Sequence, residues 1–170
     1  MTQPSETQPS DVVRSLFAHH LWATEALIGH LSNLPAERLD EAIAGTYGSM
    51  VATLTHLVDA DERYLVRFGD PSPPPREDRV GVPLATLRAE VAEHRTRWDL
   101  VLGRLERGEL TASVRGKPGY PDTDHAEGLL LLQAIHHGND HRTQICSTLG
   151  ALGERVPELD GWEYWATGRA

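Results

Sequence analysis

Apolar residues recur every three or four positions over most of this chain, which is the pattern of amphipathic helices. The first stripe lies near the amino terminus, where Ser10 or Asp11 is placed to cap a helix that runs to about Ser32. The positions that form this stripe are Val13, Leu16, Phe17, His20, Leu27 and Leu31. The spacing predicts that one face of this helix is buried against other helices.

The same periodicity predicts three further long helices. They run from about Gly48 to Phe68, from Pro83 to Arg107 and from Asp124 to Leu149. A short turn of helix is expected after Pro35, and Gly150 is placed to end the last long helix in the left-handed conformation. The chain is therefore predicted to be all-α.

The connections between these helices are long. The proline-rich segment Gly69–Pro75 predicts a stiff, extended crossover, and Thr111–Arg115 carries a weak strand signal. An aromatic segment, Trp162–Trp165, is expected to pack across the end of the helices. We therefore expect a single domain over residues 1–170, a four-helix bundle with long crossover connections, in which residues 1–9 form a flexible tail.

Charge and composition exclude several classes of function. The formal net charge is −9, and Lys117 is the only lysine beside 15 scattered arginines, which argues against non-specific binding of nucleic acid. No apolar run approaches the roughly 20 residues that a membrane-spanning helix needs. The first ten residues are polar and carry no cation, so we expect no secretory signal and a cytoplasmic protein. The lone cysteine, Cys146, fits a reducing compartment and is expected to be an inert, buried thiol.

Two histidines in the last long helix are the strongest chemical signal. His137 and His141 are four residues apart, so on a helix they lie one turn apart on the same side. Two imidazoles in this arrangement can bind one transition metal. The competing interpretation, that both are partly buried structural histidines, is about equally favoured by the spacing alone, because the pair lacks the flanking glutamate of the HExxH motif.

A metal site would need a third ligand from another helix. His20 and His94 lie within the apolar stripes of the first and third helices, whereas the helical period places His56 opposite the apolar stripe of the second. Periodicity therefore favours His94 or His20 over His56. A histidine on an apolar stripe is, however, more often a core residue than a ligand.

Three stretches resemble a known protein family. They are His20–Leu27, Thr53–Leu65 and His137–Ile145, and the carboxyl-terminal Leu159–Trp165 is also similar. Together they resemble the DinB-like family of bacterial four-helix proteins, which includes YfiT-type thiol transferases and mycothiol-dependent enzymes. The likeness spans nearly the whole chain and is most specific at the last helix.

The resemblance implies a divalent-metal site formed by His56, His137 and His141, with His94 as the fallback for His56. Zinc, nickel and iron all suit imidazole ligands. The resemblance also implies a low-molecular-weight thiol, mycothiol or bacillithiol, as a cofactor. The arginine-rich composition suggests a GC-rich genome and so favours mycothiol. Asp59, Asp61, Asp140 and Gln144 are candidates to hold the second ring nitrogen of a ligand histidine.

The leading functional hypothesis is therefore a metal-dependent enzyme, an S-transferase or a thiol-dependent isomerase acting on a small electrophile. The alternatives are a stress-associated protein that binds a metal or ligand without catalysis, an interaction module, and metal-assisted hydrolysis. A homodimer is expected, because bundles often pair through apolar faces.

Overall fold

The computed structural model describes residues 8–69, 79–110 and 127–168. In these residues every regular element is helical, as the apolar periodicity predicted. The helices are α1 Pro9–Leu31, α2 Ala36–Leu39, α3 Met50–Arg67, α4 Leu84–Glu106, α5 Glu127–Ala151 and α6 Gly161–Ala166. The all-α prediction is confirmed.

The four long helices pack in the cyclic order α1, α4, α3, α5, so that helices α1 and α3 are diagonal to each other. Contacts between α3 and α4 pair Glu62 with Arg97 and the Phe68 carbonyl with Arg104, so these two helices run parallel. Residues 70–75 of the predicted proline-rich crossover, and the weak strand at 111–115, lie outside the described residues.

Helix α5 runs antiparallel to α3, which brings the middle of α5 against the first half of α3. One continuous core fills the space between the four long helices, with Trp98, Phe17 and Leu54 among its fully buried side chains. A second, smaller apolar cluster joins α6 to α1, where Tyr164 packs against Trp22 at a ring-centroid distance of 5.3 Å. Among the described helices, none is long and apolar enough to cross a membrane.

Three details of the helix ends and stripes differ from expectation. Helix α1 begins at Pro9, and Asp11 accepts a hydrogen bond from the Gln8 backbone N–H at 2.8 Å, so neither predicted residue is the cap. Helix α5 continues past Gly150 to Ala151, and the left-handed residue is Gly153, with φ of 73°. Leu16, assigned to the first apolar stripe, is 46% exposed, so it does not belong to the buried face of α1.

Candidate metal centre

Three imidazole rings converge between α3 and α5. The Nε2 atom of His137 lies 3.2 Å from Nε2 of His56 and 3.1 Å from Nε2 of His141. One ring nitrogen from each of the three residues lies within 4.8 Å of the others, a grouping that could hold a metal ion. The structure thus brings together the three residues that the family resemblance implied.

The positions of these rings follow from the two helices. His137 and His141 are separated by one turn of α5, so their rings meet at a centroid distance of 4.4 Å. His56 lies on the face of α3 that packs against α5, and its ring is 5.1 Å from His137 and 4.8 Å from His141. The antiparallel packing of α3 on α5 is therefore what completes the cluster.

The distances fit a shared cation. A tetrahedral metal with nitrogen ligands at about 2.0–2.1 Å places those nitrogens roughly 3.3 Å apart. The two observed Nε2 separations, 3.2 and 3.1 Å, are close to this value. His137 is thus already spaced from both other histidines as a small divalent ion requires, and the ring nitrogens of His56 and His141 lie within 4.8 Å of each other.

The protonation of the cluster also suits a metal. Burial, together with the neighbouring His141 and His56, lowers the pKa of His137 to about 4. Burial also lowers the pKa of His141. Because a metal binds only the neutral imidazole, these two rings are in the form that binding requires at neutral pH.

Gln144 orients His141. The Nδ1 atom of His141 lies 3.3 Å from Oε1 of Gln144, which accepts its hydrogen bond, one turn further along α5. With its proton on Nδ1, His141 presents the Nε2 lone pair toward the cluster. This contact identifies Gln144 among the four candidates that the sequence left unranked.

The three acidic candidates are engaged elsewhere or make no hydrogen bond to the cluster. Asp59 pairs with Arg79, and Asp61 accepts a hydrogen bond from Nε2 of His20 at 2.8 Å. Asp140 acts on His141 only through its charge, which favours the protonated ring. Because the side-chain amide of Gln144 is neutral, this partner of His141 adds no charge to the metal centre.

Two tyrosines flank the histidines, and the sequence analysis did not identify them. Tyr47 stacks on His56 at a ring-centroid distance of 4.0 Å and an interplanar angle of 22°. Tyr64 meets His137 edge-on at 6.1 Å. The position of Tyr64 two turns after His56 on α3 was a usable signal, whereas Tyr47 lies in a loop that periodicity does not describe.

The structure excludes the fallback ligand. His94 is buried on α4, where its Nε2 lies 3.1 Å from a carboxylate oxygen of Glu62, and it does not belong to the cluster. His20 is likewise a core residue, bonded to Asp61. Both residues lie on the apolar stripes of their helices. The periodicity that favoured them as ligands therefore indicated only that their side chains are buried.

A buried polar network lies beside the metal centre. Nη1 of Arg142 lies 3.1 Å from Nδ1 of His20 and 3.1 Å from Oγ1 of Thr24, joining α5 to α1. Burial works to raise the pKa of Asp61, but the hydrogen bond and electrostatic interaction with His20, together with the smaller effects of His94 and Arg142, outweigh it and hold that pKa below its ordinary value. Burial lowers the pKa of Arg142 to about 10. The network therefore stabilises an ionised carboxylate in the core.

Cys146 lies on another side of α5, away from the histidines. It lines a cavity of about 420 Å³ between α5 and the segment before α6. Burial raises the pKa of its thiol, although Arg142 opposes this effect. A raised pKa disfavours the thiolate, the reactive form, as the sequence analysis expected of an inert cysteine.

Comparison with known proteins identifies the family of the chain that carries this site. A search of curated proteins finds no match to the chain. The family model described as "DinB family" matches residues 1–169, which is nearly the whole sequence. The all-helical fold with a histidine cluster between α3 and α5 is thus carried by a chain that belongs to the DinB family.

Proposed function

We propose that this protein binds one divalent cation through His56, His137 and His141. The observation that carries the proposal is the approach of three ring nitrogens, one from each histidine on two helices, to within 4.8 Å of one another. Imidazoles that are partly or fully buried at this spacing are costly to keep together unless a cation compensates for the polar groups removed from water. Zinc, nickel and iron are the candidates, since imidazole nitrogen suits all three.

We further propose that the protein is an enzyme that uses a low-molecular-weight thiol. Three protein ligands leave at least one coordination position for an exogenous group, the pattern of catalytic rather than structural sites. When bound, the cation would supply Lewis acidity and favour the thiolate form of a thiol that reaches it. The DinB-like character of the chain supports a thiol such as mycothiol or bacillithiol, with S-transfer or thiol-dependent isomerisation as the reaction.

The residues of this chain have defined parts in that proposal. The three histidines hold the cation, and Gln144 fixes the tautomer of His141 through its hydrogen bond. Tyr47 and Tyr64 flank the rings with aromatic surface. No proton transfer is assigned to Asp59 or Asp61. Asp59 pairs with the guanidinium of Arg79, and Asp61 accepts a hydrogen bond from His20, which lies outside the cluster.

A cobalt-substituted protein tests the proposal, because Co²⁺ reports both the ligand set and a bound thiol by absorption. We expect low-energy bands from the Co²⁺ complex and a new sulfur-to-metal band when mycothiol or bacillithiol is added. The control is the His137→Ala protein, which should show neither signal. Cobalt bands that no thiol changes would contradict the thiol part of the proposal, and turnover with thiol and electrophile panels tests catalysis.

A protein that binds the metal without catalysis is the second candidate. It is favoured by the engagement of two nearby carboxylates, since Asp59 pairs with Arg79 and Asp61 accepts a hydrogen bond from His20, contacts that occupy both groups outside the cluster. Tight metal binding without turnover for any thiol tested would support this alternative over the enzyme.

We also propose that the protein forms a homodimer. Support comes from the short helix α6, where Trp162 is 81% and Trp165 is 68% exposed. Exposed tryptophans of this size are enriched at protein interfaces. Size-exclusion chromatography with light scattering should give twice the chain mass of 18.8 kDa. A mass of one chain at micromolar concentration would contradict the dimer.

A further inference from the structure

The loop before α3 brings Tyr47 onto the histidine cluster. Its ring is nearly parallel to that of His56, at a centroid distance of 4.0 Å, and it meets His141 edge-on at 5.5 Å. Tyr47 thus contacts one ligand from α3 and one from α5. The Tyr47 ring therefore contacts both helices, α3 and α5, whose packing forms the histidine cluster.

The backbone of Tyr47 makes a second link to the same cluster. Its N–H donates to Oε1 of Gln144 at 2.9 Å, and the same oxygen accepts from Nδ1 of His141 at 3.3 Å. Gln144 therefore joins the loop to the ligand of α5, while the Tyr47 ring lies against the ligand of α3. One loop residue is connected to two of the three histidines by independent contacts.

The loop itself is held in place. Ser49 caps α3 by accepting from the Ala52 N–H at 3.3 Å, and Thr46 donates its hydroxyl to the Ile43 carbonyl at 2.8 Å. The Met50 N–H bonds the Glu41 carbonyl at 3.1 Å, which closes the loop on itself. The position of Tyr47 is thus set by local hydrogen bonds.

Core burial does not account for the placement of this ring. Tyr47 is 57% exposed, which is unusual for an aromatic side chain stacked on a polar one. Since a side chain this exposed gains little from the hydrophobic core, the main consequence of its position is to restrict the rotation of His56. Restriction of a ligand ring lowers the entropy lost when a metal binds.

We propose that Tyr47 is a positioning residue of the metal centre, whose ring stacks on His56 and meets His141 edge-on. The inference rests on the proposed metal binding and extends it to the loop over residues 40–49. Its ring is what matters, because the described contacts to His56 and His141 are made by the aromatic face and edge. The hydroxyl is not required.

The test compares Co²⁺ affinity and absorption in four proteins: the wild type, Tyr47→Ala, Tyr47→Phe and Leu100→Ala. Affinity is measured by competition with a chelator, and the stability of each metal-free protein by urea unfolding. Leu100 is the control, since it is a large, exposed apolar residue on α4. We expect Tyr47→Ala to weaken Co²⁺ binding about tenfold and to change the absorption bands, as loss of a supporting partner does in other metal sites. Tyr47→Phe and Leu100→Ala should match the wild type, and metal-free stability should be the same in all four.

Each result decides between distinct ideas. Wild-type affinity and spectrum in Tyr47→Ala would overturn the inference while leaving the metal site intact. A defect in Tyr47→Phe equal to that of Tyr47→Ala would also overturn it, because the hydroxyl and not the stacking would be responsible. A loss of metal-free stability in Tyr47→Ala alone would assign the residue to folding instead. A wild-type protein that binds no Co²⁺ would refute the proposed function itself, and the role of Tyr47 with it.

Discussion

The ring of His20 lies directly against the backbone of Gly138: a Cβ atom built on Gly138 would be 2.3 Å from Cε1 of His20. No real side chain tolerates that distance, so a glycine at this position is what leaves room for the His20 ring. Gly138 follows His137 in the sequence, and the close approach also allows Arg142 to reach His20 at 3.1 Å. The glycine within the histidine motif therefore has a packing role that supports the metal centre.

Replacing Gly138 with alanine should destabilise the protein. The added methyl group must displace His20 or separate α1 from α5, and overpacking of this kind costs about 1–3 kcal/mol. Gly128 is the matched control on the same helix, because a Cβ there would meet no atom within 4 Å. Gly128→Ala should be neutral or stabilising by up to about 1 kcal/mol. Urea unfolding followed by circular dichroism measures both, and equal stability of the two variants would contradict the packing role.

The stability of the protein should depend on the ionisation of Asp61. Its folded-state pKa lies below the ordinary value of 3.8, so the unfolded chain takes up this proton first as the pH falls. The stabilisation from the ionised carboxylate is therefore complete above that ordinary value and is lost as the pH falls through the folded-state pKa. The difference in free energy of unfolding between the wild type and Asp61→Asn should hold steady near pH 5 and shrink below about pH 4. Urea titrations at several pH values measure it, and a constant difference down to about pH 3 would be the contrary result.

Gln144 should control metal affinity without being a ligand. Gln144→Ala removes the acceptor shared by His141 and the Tyr47 N–H, so we expect affinity to fall about 10- to 100-fold. Gln144→Glu keeps the hydrogen-bond acceptor, and its carboxylate raises the basicity of the His141 imidazole as a metal ligand. This variant should therefore bind the metal at least as tightly as the wild type. Thr143→Ala is the control, because that hydroxyl bonds only the Asn139 carbonyl of its own helix. Chelator competition measures all three, and wild-type affinity in Gln144→Ala would contradict the role of this contact.

The apolar pattern was sufficient to predict the helices because each long helix buries one continuous stripe. It was not sufficient for the partner of the histidine pair. His56 lies opposite Leu54 and Val58 on α3, but α3 has two neighbours, so the face away from the main stripe is covered by α5. Periodicity reports how deeply a residue is buried and does not report which helix covers it. The family resemblance pointed to His56 because it carries information about pairing between helices.

Other details of the site depend on contacts that are distant in the sequence. Tyr47 and Gln144 are 97 positions apart and meet only after α3 and α5 have packed. The choice of Gln144 over Asp61 likewise depended on His20, which lies on a third helix and engages that carboxylate. Local spacing identified the pair His137 and His141 because a single helix fixes it. The contacts of Tyr47 and Gln144, which join α3 to α5, became visible only in the structure.

The most direct test of the account is the metal content of histidine variants after loading with Zn²⁺ and removal of the excess. Mass spectrometry under native conditions should find one equivalent in the wild type and in His136→Ala, a control residue that neighbours His137 but is exposed. His56→Ala, His137→Ala and His141→Ala should each lose the tightly bound ion. Retention of a full, tightly bound equivalent by His56→Ala would contradict a site shared between α3 and α5.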